Sequence, residues 1–246
     1  MSCNRFIATA RGGRSGRVAT LAALMLLPVA VMLSAPVMAQ VTKLKPRPQV
    51  AAAAAPAVGD PVAGAAKSAD ERCQECHGAD GHGFGQSASS EGRHPKLAGQ
   101  SAAYIIKQLD NFRSGARKHD VMTMMARTVD PADIVDIAAY FSSRTPMKGG
   151  GSGDEPTARK LYEQGDPARG VIACISCHGP QGQGLPGLGA ESLRIGGQEW
   201  RYLEKQLLDW RSGERSNSRG GVMNTVSAGL SDAEIRALSD YLSGMQ

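Results

Sequence analysis

Bulky core material is scarce in this chain. Phe, Tyr and Trp together make up 4% of its 246 residues, too little to fill one large core or two smaller ones with protein side chains alone. Cysteine is scarce too: of five, Cys3 lies in the N-terminal segment and the other four fall in two clusters, so none is left for a structural disulfide. No stripe of Lys and Arg interleaved with aromatics occurs, which sets nucleic acid aside as a partner despite a formal net charge of +5. That excess is local. Arg5, Arg11, Arg14 and Arg17 stand in a segment without acids, and removing these four from the 28 Lys+Arg leaves 24 against 23 Asp+Glu. Strand-like alternation is missing as well, and the expected class is all-α.

The Arg-rich start is followed by an apolar run at residues 18–33 and by small residues ending in Val37-Met38-Ala39. This is the pattern of a secretory signal, residues 1–39, cleaved after Ala39. The run holds Pro28 and is shorter than the ~20 residues a spanning helix needs, so an uncleaved anchor is the alternative. Either form sends the body across the inner membrane, to the periplasm, soluble or tethered. Residues 40–67, rich in Ala and Pro without a large apolar face, read as a flexible spacer.

What is present twice organises the rest. Cys73–His77 reads CQECH and Cys174–His178 reads CISCH. A C-x-x-C-H run puts two thiols one helical turn apart beside an imidazole, the arrangement that holds a haem by two thioether bonds and one iron ligand. One copy alone is also compatible with a redox dithiol or half a zinc site. The duplication reaches further. YIIKQLDNFRSG from Tyr104 matches YLEKQLLDWRSG from Tyr202 at Tyr, Lys, Gln, Leu, Arg, Ser and Gly, and Tyr140 and Tyr241 repeat the 101-residue offset of the motifs. Two domains follow, residues 68–143 and 157–246, joined by a Gly/Ser linker at 144–156. A haem in each would fill the shortage of core.

Each motif is trailed by a Gly-rich loop, read as turn-making because no P-loop lysine accompanies it. An amphipathic helix comes next, with Tyr104, Ile105, Gln108, Leu109 and Phe112 at helical spacing. A loop carrying Met122, Met124 and Met125 then leads to a last helix capped by Asp130, and in the second half by Ser231 with Glu234. Met122 lies 49 residues beyond Cys73 and Met223 lies 49 beyond Cys174. That coincidence selects Met122 and Met223 as sixth ligands, opposite His77 and His178, with Cys73, Cys76, Cys174 and Cys177 as thioether anchors. Methionine favours ferrous iron and raises the potential, and it closes the iron to oxygen and peroxide. His82, His94 and His119 have no counterpart in the second half and read as surface or loop residues, with His119 the rival ligand for the first iron.

These motifs, with HPKLAGQ after the first and RIGGQ after the second, resemble the dihaem cytochrome c4 family of tandem class I cytochromes c over residues 68–244. The resemblance implies two class I folds facing one another with haem propionates near the interface. It also implies an electron carrier that is not an enzyme, with a quinol-oxidising complex or dehydrogenase as donor and a terminal oxidase as acceptor. The family's thioether cysteines, proximal histidines and distal methionines fall on the residues named above. Two features depart from it. Leu193 replaces the proline that Pro95 supplies in the first half, so unequal haems are expected. The Ala/Pro spacer adds a possible membrane association through the N-terminus. The other readings are a cytochrome subunit of a dehydrogenase complex and a dihaem peroxidase or thiosulfate-oxidising enzyme.

Overall fold

The computed structural model describes residues 59–83 and 94–245; the expected signal, most of the expected spacer and part of the first Gly-rich loop lie outside them. Helices, turns and one isolated bridge between Asp166 and Val171 make up the described residues. The first half contains α1 (Pro61–Asp70), α2 (Gln74–His77), α3 (Ala102–Ser114), α4 (Asp120–Thr128) and α5 (Pro131–Ser142). The second half repeats them as α6 (Pro156–Gln164), α7 (Ile175–His178), α8 (Trp200–Ser212), α9 (Val222–Ala228) and α10 (Asp232–Gly244). In each half the last helix packs on the first and the middle helix, and the middle helix also packs on the short one after it.

Two expectations need correction. The stretch read as a spacer up to Lys67 is helical from Pro61: the Asp60 carboxylate caps Val62 N and Ala63 N, and proline starts the helix. Its residues are small because α1 lies almost backbone to backbone on α5; a Cβ on Gly64 would sit 1.9 Å from Asp136 O. Lys67 closes the contact with ion pairs to Asp133 and Asp136 at 2.6 and 2.5 Å. A search for large apolar side chains passes over a helix that docks in this way. Met122, Met124 and Met125 were expected in a loop but lie on α4, and Met223 lies in the first turn of α9.

The apolar periods pack as read. Ile105, Ile134, Ile137, Ala138, Tyr140 and Phe141 form the first core with Val129, and Leu161, Tyr162, Leu203, Ile235, Leu238 and Leu242 belong to the second. Asp130 caps α5 through Ala132 N, and Ser231 and Glu234 form a capping box on α10. Residues 144–156 are laid down firmly. Met147 is 2% exposed, its N–H donates to Ala98 O at 3.1 Å, and a Cβ on Gly149 would meet Ser243 O at 2.1 Å.

Glu234 also receives both arms of Arg169 at 3.0 and 2.8 Å, and this guanidinium holds its carboxyl down to about 2 from 4.5. A depressed acid stabilises the fold above its unfolded pKa and loses that contribution as pH falls through its folded one. The Glu234 contribution is therefore complete above about pH 4.5 and disappears toward pH 2. Acid titration of the unfolding midpoint should show a shallower fall over this window for Glu234→Gln than for the parent chain.

Candidate haem sites

Each C-x-x-C-H run folds into one turn of helix. His77 N–H donates to Cys73 O at 3.1 Å and His178 N–H to Cys174 O at 2.9 Å, which brings the two cysteines of each motif to one face. The turn is stopped by Gly78 and Gly179 at φ +79° and +78°, a conformation that side chains avoid. The chain then folds back: Gly83 N–H donates to His77 O and Gly184 N–H to His178 O, both at 2.7 Å. The Gly-rich loops thus make turns beside the histidines, as expected.

All four motif cysteines are free, with Cys177 exposed and the others partly buried. Burial pushes the thiols of Cys73 and Cys174 up to about 11. A redox-active C-x-x-C has a depressed thiol instead. Among the described residues no three His, Cys, Asp or Glu side chains gather as a metal-binding group.

His77 and His178 are 6% and 7% exposed. The Nδ1 of His77 lies 2.8 Å from Pro95 O, and that of His178 lies 3.1 Å from Leu193 O. A carbonyl accepts, so Nδ1 carries the hydrogen and Nε2 is left as the ligating nitrogen. Burial holds His77 down to about 4 and lowers His178 as well, keeping both imidazoles in the neutral form that binds iron.

Met122 and Met223 are partly buried at the starts of matching helices, while Met124 is 60% exposed. His119 is drawn into other work: it caps α4, its Nδ1 accepting from Met122 N at 3.3 Å. His94 differs from expectation. Its Nδ1 is buried without a hydrogen-bond partner, and its ring centre lies 6.4 Å from that of His77.

Sequence reading missed a polar network between the halves. Arg117 donates to Gln108 Oε1 at 2.9 Å, Tyr202 Oη at 3.0 Å and Gln206 Oε1 at 2.6 Å. Arg215 answers with Gln206 Oε1 at 2.6 Å, Tyr104 Oη at 3.1 Å and Gln108 Oε1 at 3.2 Å. Both arginines are buried, at 9% and 7% exposure, and neither has a carboxylate at ion-pair distance among the described residues. The signal was in the repeat: Arg117 and Arg215 stand at the same 98-residue offset as Tyr104 and Tyr202.

Two thiols on one helical face and a buried, neutral imidazole with Nε2 free fit a haem c in each half. Fold and sites together define a tandem c-type cytochrome.

Comparison with known proteins narrows this. The cytochrome c family model matches residues 62–145 and 151–246. Cytochrome c4 of Thiocapsa roseopersicina is 41% identical over 196 residues, covering 78% of this chain and 96% of its own. The crystal structure of reduced recombinant cytochrome c4 from Pseudomonas stutzeri superimposes with a TM-score of 0.69 at 37% identity, covering 76% of this chain and all of that one. The thiosulfate dehydrogenase electron acceptor of Thiomonas intermedia is 35% identical, covering 69% of this chain and 76% of its own. The chain belongs to the cytochrome c4 family. It is a dihaem c-type cytochrome of electron transfer, all-α, with two covalently bound haem c groups in tandem class I domains.

Proposed function

We propose that the protein carries single electrons between periplasmic redox partners, with Cys73, Cys76, Cys174 and Cys177 forming the thioethers and His77/Met122 and His178/Met223 as axial pairs. The observation that carries this reading is the matched placement of Met122 and Met223 in the first turns of α4 and α9. Bound haem would supply reversible one-electron chemistry, and the chain's part would be to hold each iron between a buried histidine and a methionine. The acceptor in this reading is a terminal oxidase, and the donor is a quinol-oxidising complex or a dehydrogenase. The N-terminal 39 residues direct the chain across the membrane and are cleaved or serve as a tether; among the described residues no helix is long and apolar enough to cross a membrane.

A second reading has one observation behind it. The Thiomonas intermedia relative is named as the electron acceptor of thiosulfate dehydrogenase, so a dehydrogenase is a fitting donor. In both readings the chain makes no bond in a substrate. The holoprotein alone should take up two electrons per chain from a chemical reductant and turn over neither thiosulfate nor peroxide. Steady turnover of either by the isolated chain would make it an enzyme.

A further inference from the structure

The two halves meet at the turns that follow the carbonyls of the proximal histidines, residues 95–100 and 193–198. Each turn is tied by main chain into its own half. Leu97 N–H donates to Gly81 O and Ile195 N–H to Gly182 O, both at 2.7 Å, while Gly99 N–H donates to Phe141 O at 2.9 Å and Gly197 N–H to Leu242 O at 3.0 Å. The N–H at the start of each turn goes across instead. Gln198 of the second half accepts from Lys96 N at 2.7 Å and donates to Lys96 O at 3.0 Å. Gln100 of the first half accepts from Arg194 N at 2.9 Å and donates to Arg194 O at 2.8 Å. Both glutamines are buried, at 3% and 4% exposure for Gln100 and Gln198, and the Lys96 Nζ fastens the same contact through Glu199 Oε1 at 3.0 Å.

The N–H of Lys96 belongs to the same planar peptide as Pro95 O, and Pro95 O lies 2.8 Å from His77 Nδ1. The N–H of Arg194 shares its peptide with Leu193 O, 3.1 Å from His178 Nδ1. One edge of each peptide therefore carries the proximal histidine of its own half, and the opposite edge carries a glutamine of the other half. The two edges are rigidly coupled through a trans peptide, so a fixed N–H fixes the direction of the carbonyl. A peptide that donates is also a better acceptor, because hydrogen bonds in a chain polarise one another.

We propose that Gln198 is a positioning residue for His77 and Gln100 for His178, so that each proximal ligand is aimed by the half that does not contain it. Donation from Nδ1 to a carbonyl makes the imidazole a more basic ligand, and a more basic ligand favours ferric iron. Without its glutamine the peptide is free to tilt, the bond from Nδ1 weakens, and the potential of the haem in the opposite half rises. Each glutamine also accepts within its own half, Gln100 from Ser101 N and Gln198 from Glu199 N, both at 2.9 Å, so a purely local role would act on the other haem of the pair. The inference rests on the carrier reading with His77 and His178 as iron ligands.

The test is a spectroelectrochemical titration of the full holoprotein in the Met122→His background, where the first iron alone changes ligand and its wave lies below that of the second. Adding Gln100→Leu should raise the upper wave about fivefold in reduction constant, the size of one neutral hydrogen bond and roughly 40 mV at 59 mV per tenfold for a one-electron couple, and leave the lower wave nearly in place. Adding Gln198→Leu should raise the lower wave and leave the upper. Gln100→Asn and Gln198→Asn, whose amides are too short to span the halves, should give the same crossed pattern and serve where a leucine variant does not fold. A glutamine that moves the wave of its own half overturns the proposal. So do two waves that move together, which mark only a loosened interface, and two waves that stay put. Carbon monoxide binding to the ferrous parent protein would defeat the carrier reading itself, whereas an uncrossed pattern without such binding defeats only the role of the glutamines.

Discussion

Lys96→Met should be among the most destabilising single substitutions in the protein, costing about 3–5 kcal/mol in the holoprotein. It strands the Glu199 carboxylate, 7% exposed, without the ammonium that lies 3.0 Å from it. The intact pair itself has a small net worth, because the desolvation of both charges offsets most of their attraction. The double variant Lys96→Met with Glu199→Met should therefore recover much of the loss. Denaturant unfolding of the parent, both single variants and the double variant gives the coupling directly. Additive losses would mean that the pair does not fasten the halves as described.

Met122→His should lower the potential of one haem by a sizeable part of the ~0.8 V that axial ligation spans, and leave the other nearly where it was. A thioether favours ferrous iron more than imidazole does. Met223→His should do the same to the other wave. Met124→His, at a residue 60% exposed on the same helix as Met122, should move neither. A Met124 variant that shifts a potential, with Met122→His silent, would transfer the ligand role.

Much of this was legible because the haem motif is local and the chain states it twice. The repeat of 49 residues from Cys73 to Met122 and from Cys174 to Met223 picks one methionine out of three, and the structure puts both at helix starts. Asp130 and the Ser231–Glu234 box were readable for the same reason: a cap is decided within four residues. What escaped depends on contacts between distant segments. α1 packs through Gly59 and Gly64, whose value is the absence of a Cβ, and no hydrophobic period marks it. Helix α4 is capped by His119, a residue read as a surface or loop histidine and as the rival ligand for the first iron. The arginines of the interface look like solvated charges in the sequence; only the approach of the halves buries them among Tyr104, Tyr202, Gln108 and Gln206. The neutralisation of Lys96 by a glutamate 103 positions away has no local signature at all.

In the proposed reading both irons are six-coordinate, held by His77 and Met122 and by His178 and Met223, and the chain carries electrons. The most direct measurement is the absorption spectrum of the purified holoprotein, ferric and then ferrous, with and without carbon monoxide. The account predicts a sulfur-to-iron charge-transfer band in the ferric state, two haems per chain and no change on adding carbon monoxide to the ferrous state. A carbon monoxide shift at either haem would contradict it.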